Sequence, residues 1–420
     1  MLMLFPCLLN AQTVDSLYEI ATWKGFTQSA VSYTWDDNTP KQLSDALPLF
    51  DKFDFKVTFF IITSLNPNWN GLKQARKGGH EIASHTVTHT ALNTLSDADQ
   101  EVELNNSQKE INTQMGNTEC ITLAYPFCIA SNPGITSSHY ISARGCNGQI
   151  EQKTPSDLLN IASIICGAQG AVKTTQEFNQ TVNNSANING WSVFLLHGIN
   201  NDGGFSSTDS AELSKHLEYM NNNRDKFWIA TCGNVVRYIR ERNAASVHEL
   251  SNTDSLITFS VKHPLDSLIY NFPLTVKRTV PANWGPFTVH QNGKELPVRV
   301  VTKNSKHYFI IDVVPNSGNV LIKQSATTGI SFLTMVSSFT VFPNPFALAA
   351  TIRFELNHQA QIKIELLDEN GKKVKTIQTG LYDSGAHEVL LNGSDLRGKL
   401  FYCALSINGQ QLIRKIACTK

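Results

Sequence analysis

The chain has 420 residues, more than one hydrophobic core usually organises, so two or three domains are expected. Lys plus Arg and Asp plus Glu number 35 each, which removes the long-range positive field that nucleic-acid binding or adhesion to an anionic membrane would need. A hydrophobic fraction of 41% is ordinary for a globular chain.

Residues 1–12 form a short apolar run ending in Asn10, Ala11 and Gln12, as at the end of a signal peptide, although no positive n-region precedes it. A run of about ten apolar residues is too short to span a bilayer, and no later run is apolar enough to do so. Export would place the chain where disulfides persist. Of its eight cysteines seven stay once Cys7 is removed, an odd number. Cys120 with Cys128, and Cys146 with Cys166, are candidate bridges, although spacing does not settle connectivity. No CxxC pair occurs, so a cysteine-based zinc site is not expected.

From about residue 28 to 243, short β-branched apolar runs alternate with longer segments of helical periodicity, the pattern of βα units around a parallel sheet. The spacing predicts strands over Ala30 to Trp35, Lys56 to Ile62, Glu81 to Ser84, Cys120 to Tyr125, Tyr140 to Ala143, Asn160 to Ile165, Trp191 to Leu196 and Phe227 to Thr231. That many in about 200 residues suggests a closed or nearly closed barrel, placed at 20–246. Ser96 before Asp97, Asp99 and Glu101 reads as a helix N-cap, with Leu104, Ile111 and Met115 on one apolar face. Leu213, Leu217 and Met220 form a similar stripe.

After Glu249 the texture becomes all-β, with runs at Leu256 to Val261, Leu274 to Thr279, Phe287 to Gln291 and Tyr308 to Val313 and a hairpin signal at Asn292 and Gly293. A small β-sandwich is placed at 249–325. Beyond the Ser/Thr-rich Ser325 to Thr328, a second small all-β domain is placed at 339–420, with turns at Asn370–Gly371, Ser384–Gly385 and Asn408–Gly409.

Within the first region, His85 and His89 in Ser84 to His89 stand four residues apart, which on a helical turn puts both imidazoles on one face, able to grip one ion. The same pair could be a solvated helix start. Asp36 and Asp37 follow the first predicted strand; the turning backbone there can aim both carboxylates into one cleft, or they can cap the next helix. His197 follows the apolar run Trp191 to Leu196. Asp36, Asp37, His85, Pro126 and His197 all fall at carboxyl ends of predicted strands, the face on which parallel α/β barrels assemble sites.

These motifs, in this order, resemble the NodB-type polysaccharide deacetylases of carbohydrate esterase family 4, over about residues 28–243. Thr34 to Asp37 is similar to the family's Thr-Phe-Asp-Asp, His85 to His89 to its His-Ser/Thr-x-x-His, and Leu195 to His197 to its Leu-x-His. The resemblance implies a distorted (β/α) barrel and one divalent ion held by Asp37, His85 and His89, zinc foremost, with cobalt, nickel or manganese as alternatives. It implies Asp36 as the base that deprotonates metal-bound water, His197 as the acid, and the Phe127 N–H as oxyanion donor. The motif around Pro126 reads Ala124, Tyr125, Pro126, Phe127, Cys128 and lacks the arginine expected two residues before the proline. Arg144, at the end of the next predicted strand, could supply a guanidinium to Asp36 or could support the fold. His197 has no evident carboxylate partner in the sequence.

The implied activity is removal of N- or O-linked acetyl groups from a polysaccharide or oligosaccharide. The competing reading is a glycan-binding surface protein on a degenerate barrel. Hydrolysis of a peptide is disfavoured, since no HExxH occurs. Trp35, Trp69 and Trp191 are candidates for stacking on sugars, or for core packing. The last 80 or so residues resemble the type A sorting domain of the type IX secretion system, through Val341 to Phe346, Leu366 to Gly371, Gly385 and Lys415 to Ala417. That resemblance implies the secretion machinery as a partner and a secreted or cell-surface location.

Overall fold

A computed structural model describes residues 17–116, 119–280, 287–303, 306–324, 335–357, 359–394, 396, 400–407 and 410–419. The signal-peptide reading, Ser325 to Thr328 and the Asn408–Gly409 turn lie outside the described residues.

After a short strand β1 (Tyr18–Ile20), the chain builds β2 (Ser29–Asp36), β3 (Thr58–Ile61), β4 (Glu81–Ser84), β5 (Thr122–Ala124), β6 (Ser142–Arg144), β7 (Ile164–Ile165), β8 (Trp191–Leu196) and β9 (Phe227–Ile229). The strands β2 to β9 form one sheet of order β6-β5-β4-β3-β2-β8-β7, with β9 against the start of β2. Every pairing in it is parallel. The sheet is a half-barrel: its edges β6 and β7 do not pair as strands, and the segment just ahead of β7 meets the end of β6 at the bridge Arg144↔Ile161. β2 and β8 are buried along their whole length, as strands covered on both faces must be.

Helices α1 (Leu47–Asp51), α2 (Trp69–Lys77), α3 (Asp97–Met115), α4 (Pro133–His139), α5 (Thr175–Asn187), α6 (Ser210–Asn222) and α7 (Cys232–Ala244) return the chain between strands. Ser96 does cap α3, its hydroxyl accepting from the Asp99 N–H. Leu104 and Ile111 of α3, and Leu213, Leu217 and Met220 of α6, enter the barrel core with Tyr33, Trp35, Phe59 and Phe194. Removing these side chains from water supplies most of the drive for the barrel to form.

The next strands are β10 (Ser246–Asn252), β11 (Leu256–Lys262), β12 (Leu274–Val280), β13 (Phe287–Gln291), β14 (Lys294–Glu295), β15 (Val298–Lys303), β16 (Lys306–Val313) and β17 (Val320–Gln324). They make two antiparallel sheets, β10-β11-β17-β13-β14 and β1-β12-β16-β15. Asn292 and Gly293, at φ 49° and 74°, form the hairpin turn between β13 and β14. The second of these sheets takes an edge strand, β1, from before the barrel, which sequence periodicity does not reveal. Tyr238 of α7 packs into the core shared by these sheets, and its hydroxyl donates to the Ala21 carbonyl at 2.9 Å.

The C-terminal strands are β18 (Val336–Phe342), β19 (Ala349–Leu356), β20 (Ala360–Leu367), β21 (Lys373–Tyr382), β22 (Gly385–Asn392), β23 (Leu400–Ile407) and β24 (Gln410–Ala417). They form sheets β18-β19-β22 and β21-β20-β23-β24. Ile352, Phe354, Ile362, Ile364, Leu366 and Leu405 fill the space between them.

Candidate metal centre

β2 ends at Asp36, and the chain then turns through two left-handed residues, Asp37 at φ 75° and Asn38 at φ 54°. This conformation, which Asp and Asn tolerate better than other side chains, turns the second carboxylate back toward the first. The Asn38 side chain secures the turn on the end of β3, donating to the Ile62 carbonyl at 2.8 Å and accepting from the Ile62 N–H at 3.1 Å. Gln42 donates to the carbonyls of Asp36 and His197, at 2.5 and 3.0 Å, and so ties the ends of β2 and β8 together.

His85 and His89 do not lie on a helical turn, contrary to the reading of their spacing. β4 stops at Ser84, and the segment runs as a loop with Thr86 and His89 both left-handed, at φ 68° and 61°. The loop is shaped from α3: buried Glu103 accepts from the N–H groups of Val87 and Thr88, each at 2.9 Å, and from the Thr88 hydroxyl at 2.8 Å. Sequence reasoning missed Glu103, whose only signal is an acidic residue on the apolar side of a helix.

The loop brings both imidazoles to Asp37. One ligand atom each from Asp37, His85 and His89 lie within 4.8 Å of one another. Asp37 Oδ1 is 3.4 Å from His85 Nε2 and 3.6 Å from His89 Nε2, and it is buried without a hydrogen-bond partner. His85 Nδ1 lies 2.8 Å from the Ala124 carbonyl. A carbonyl only accepts, so Nδ1 carries the proton and Nε2 is left with its lone pair facing the cluster. A buried, unpartnered carboxylate oxygen beside an imidazole held in the ligating tautomer is the donor set that a divalent ion requires, and it leaves room for further ligands.

The ionisation states agree. Burial alone would raise the Asp37 carboxyl, but His85 foremost, with His197 and His89, outweighs it and holds the group below its ordinary value. Burial, then the neighbouring His85, depress His89. Burial also depresses His197, against the pull of Asp36 and Asp37. Neutral imidazoles and an ionised carboxylate are the forms that ligate.

Asp36 is buried and paired to the Arg144 guanidinium. Arg144 is itself buried, stacked at 5.2 Å over Phe60, with Nη1 donating to the Gly145 carbonyl and the Ser163 hydroxyl, each at 3.2 Å. In the parallel β5–β6 register Arg144 lies beside Ala124, the position where the family motif carries its arginine. Neighbouring strand residues at the same level present their side chains to the same face. The guanidinium therefore arrives from one strand over.

His197 stands just past β8 with Nε2 3.9 Å from Asp37 Oδ2 and its ring edge-on to Phe205 at 5.0 Å. Its Nδ1 is buried and has no hydrogen-bond partner. Pro126 opens a short turn after β5 in which Phe127 is left-handed, at φ 54°. The Phe127 N–H has no hydrogen-bond partner among the described residues.

Asp36, Asp37, His85, His89, Phe127 and His197 line one cleft of about 460 Å³, whose walls include Tyr125, Ile165, Leu195 and Phe205. The aromatic rings open to solvent there are Phe127 and Phe205, 64% and 46% exposed. Trp35 and Trp191 are buried core residues, which removes them as sugar platforms, and Trp69 packs against the barrel core.

The cysteine pairing also differs from the candidates drawn from spacing. Cys128 is bonded to Cys146, and Cys120 and Cys166 are free and buried. Both partners of the bridge lie on the cleft wall. Strand-end loops that neighbour each other in space, not in sequence, decided the connectivity.

Comparison with known families places residues 24–135 in the polysaccharide deacetylase family, a span that contains Asp36, Asp37, His85, His89 and Phe127, and residues 340–419 in the secretion system C-terminal sorting domain family. The chain carries a polysaccharide deacetylase domain and a secretion sorting domain. A gellan lyase of Bacillus is 30% identical over 331 residues, 74% of this chain. The Bacillus subtilis protein YxkH, named for the polysaccharide deacetylases, is 29% identical over 105 residues, 24% of this chain. The chain spans 13% and 37% of the length of these two relatives.

Similar solved structures include an acetyl xylan esterase of family 4 from Clostridium thermocellum in complex with cobalt, at 15% identity and TM-score 0.36, covering 49% of this chain and 90% of that one. Another is the family 4 domain of a xylanase from the hindgut metagenome of Trinervitermes trinervoides, at 19% identity and TM-score 0.36, covering 49% and 89%. Among the described residues, no helix of this deacetylase-domain protein is long and apolar enough to cross a membrane.

Proposed function

We propose that this chain is a metal-dependent hydrolase that removes N- or O-linked acetyl groups from a polysaccharide or oligosaccharide outside the cell. The observation that carries the reading is the convergence of Asp37, His85 and His89 within 4.8 Å, beside a second carboxylate, Asp36, that is separately paired to a guanidinium. The sorting-domain match supports delivery to the cell surface or medium by the type IX secretion machinery.

Asp37, His85 and His89 would hold one divalent ion, zinc foremost, and cobalt, nickel or manganese suit the same nitrogen and oxygen donors. Bound there, the ion would polarise the acyl carbonyl and make a water easier to deprotonate. Asp36 takes the proton from the attacking water, and Arg144 holds that carboxylate in place. The Phe127 N–H, free of other partners, donates to the carbonyl oxygen as it gains charge. His197 passes a proton to the departing amine or hydroxyl through Nε2. Phe127 and Phe205 offer exposed faces for a sugar ring at the cleft rim.

The glycan-binding alternative rests on the missing motif arginine and on the appended β-domains; the Arg144–Asp36 pair, which brings a guanidinium to the base, favours the hydrolase reading. Asp37→Asn and His85→Ala are each expected to lower bound metal from one ion per chain to near zero and to abolish acetate release from acetylated glycans. Metal analysis with an acetate assay checks both. Undiminished turnover in metal-free protein would overturn the mechanism.

A further inference from the structure

The loops after β5 and β6 carry different parts of the site, and one covalent bond joins them. We propose that the Cys128–Cys146 disulfide is a positioning element of this site, fixing the Phe127 N–H relative to the Arg144–Asp36 pair. The inference rests on the reading of the site as a deacetylase centre.

Phe127 and Cys128 are consecutive non-glycine residues at φ 54° and 61°. Such a conformation persists only where its surroundings impose it. The Phe127 ring is 64% exposed and so is not anchored by burial. The backbone bonds at the tip, Cys128 N–H to Tyr125 O and Ile129 N–H to Pro126 O, are internal to the turn. Tyr125 N–H reaches the Arg144 carbonyl, but that bond secures the entrance of the turn and not its tip. Beyond the edge-on contact of the Phe127 ring with His89 at 4.6 Å, the bridge is the covalent tie between the tip and the rest of the protein.

Its other end is firmly held. Cys146 follows Arg144 by two residues, and the intervening Gly145 donates to the Ile161 carbonyl and accepts from the Ser163 hydroxyl and from Arg144 Nη1. Strands β5 and β6 pair over only three residues, so their ladder alone gives little control beyond the strand ends. The bridge therefore extends the β5–β6 registration past the ladder to the point where oxyanion donor and base must be aligned. A displacement of about 1 Å between such groups can cost roughly a hundredfold in rate.

The test compares the intact oxidised chain, the same chain reduced by a phosphine that does not bind the metal, and the Cys128→Ala/Cys146→Ala variant. The other cysteines among the described residues are free and buried, so the reductant meets one bridge. Amide exchange is expected to quicken over residues 125–130 and 142–148 while the His85 to His89 loop and the bound metal are unchanged. With an acetylated glycan, kcat is expected to fall roughly ten- to a hundredfold with KM altered less than about twofold, and reoxidation is expected to restore it. Unchanged kcat per metal-loaded chain, or faster exchange spread over the whole barrel, would overturn the proposal. If the oxidised chain releases no acetate, the deacetylase reading fails, and the exchange measurement still decides whether the bridge fixes the two loops.

Discussion

Asp36 takes its guanidinium from a strand next to the one that carries the motif. A bidentate donor can serve a carboxylate from either strand as long as the two positions are level, and the β5–β6 register makes Ala124 and Arg144 level. Arg144→Ala is accordingly expected to lower kcat by about a hundredfold with metal content intact, because a base that is no longer aimed loses most of its effect. Adding Ala124→Arg to that variant is expected to recover part of the loss, which steady-state acetate release would measure. No recovery would mean that Arg144 acts through the fold alone. From the sequence, the missing arginine was legible at position 124 and its substitute was only one of two readings of Arg144, because side-chain level across two strands is a property of pairing.

At the scale of elements, the loop from His85 to His89 brings together a residue pair whose spacing pointed to a different local structure. Spacing of four suits one face of a helix, yet β4 runs straight into a turn with two left-handed residues. Glu103 makes this possible by collecting two N–H groups and a hydroxyl of the loop onto one carboxylate. Glu103→Gln, which cannot accept all of these bonds as an anion, is expected to weaken metal binding by about tenfold with the barrel still folded. Competition with a chelator would measure it, and an unchanged affinity would show that the loop holds its shape without the charge. The strands from β2 to β9 were legible within a few residues of their ends, as were α3 and α6, because burial on both faces writes continuous apolar runs and helix faces write a period.

At the scale of the whole molecule, the barrel and the middle sheets meet along α7. Glu241 lies there with its side chain buried, accepting from the Phe272 N–H at 2.9 Å, with His263 Nε2 3.4 Å from its other oxygen. Burial pushes the Glu241 carboxyl up to about 7, against the pull of the Phe272 N–H and of Arg237. A carboxyl raised in the folded state adds stability that is fully present below its unfolded value and is lost as pH rises through about 7. Burial lowers His263, whose effect runs the other way. Glu241→Gln should therefore gain on the unaltered chain between pH 5 and 8, by about 1–2 kcal/mol. Urea midpoints at the two pH values would show it, and parallel midpoints would place the carboxyl outside the linkage. None of this seam was legible in the sequence, where β1, α7 and β12 are separate patterns.

What the sequence by itself determined is which residues share one face of the sheet. Strand-forming runs put Asp36, Asp37, His85 and His197 at carboxyl ends of parallel strands, and a parallel half-barrel gathers those ends on one face whatever its exact closure. The tertiary structure alone decided which groups touch: the Cys128–Cys146 bridge, the pairing of Arg144 with Asp36, and the hold of Glu103 on the histidine loop. Periodicity records how deeply each residue is buried along its own element. Contacts between elements depend on register and loop path, which are settled only when the elements pack.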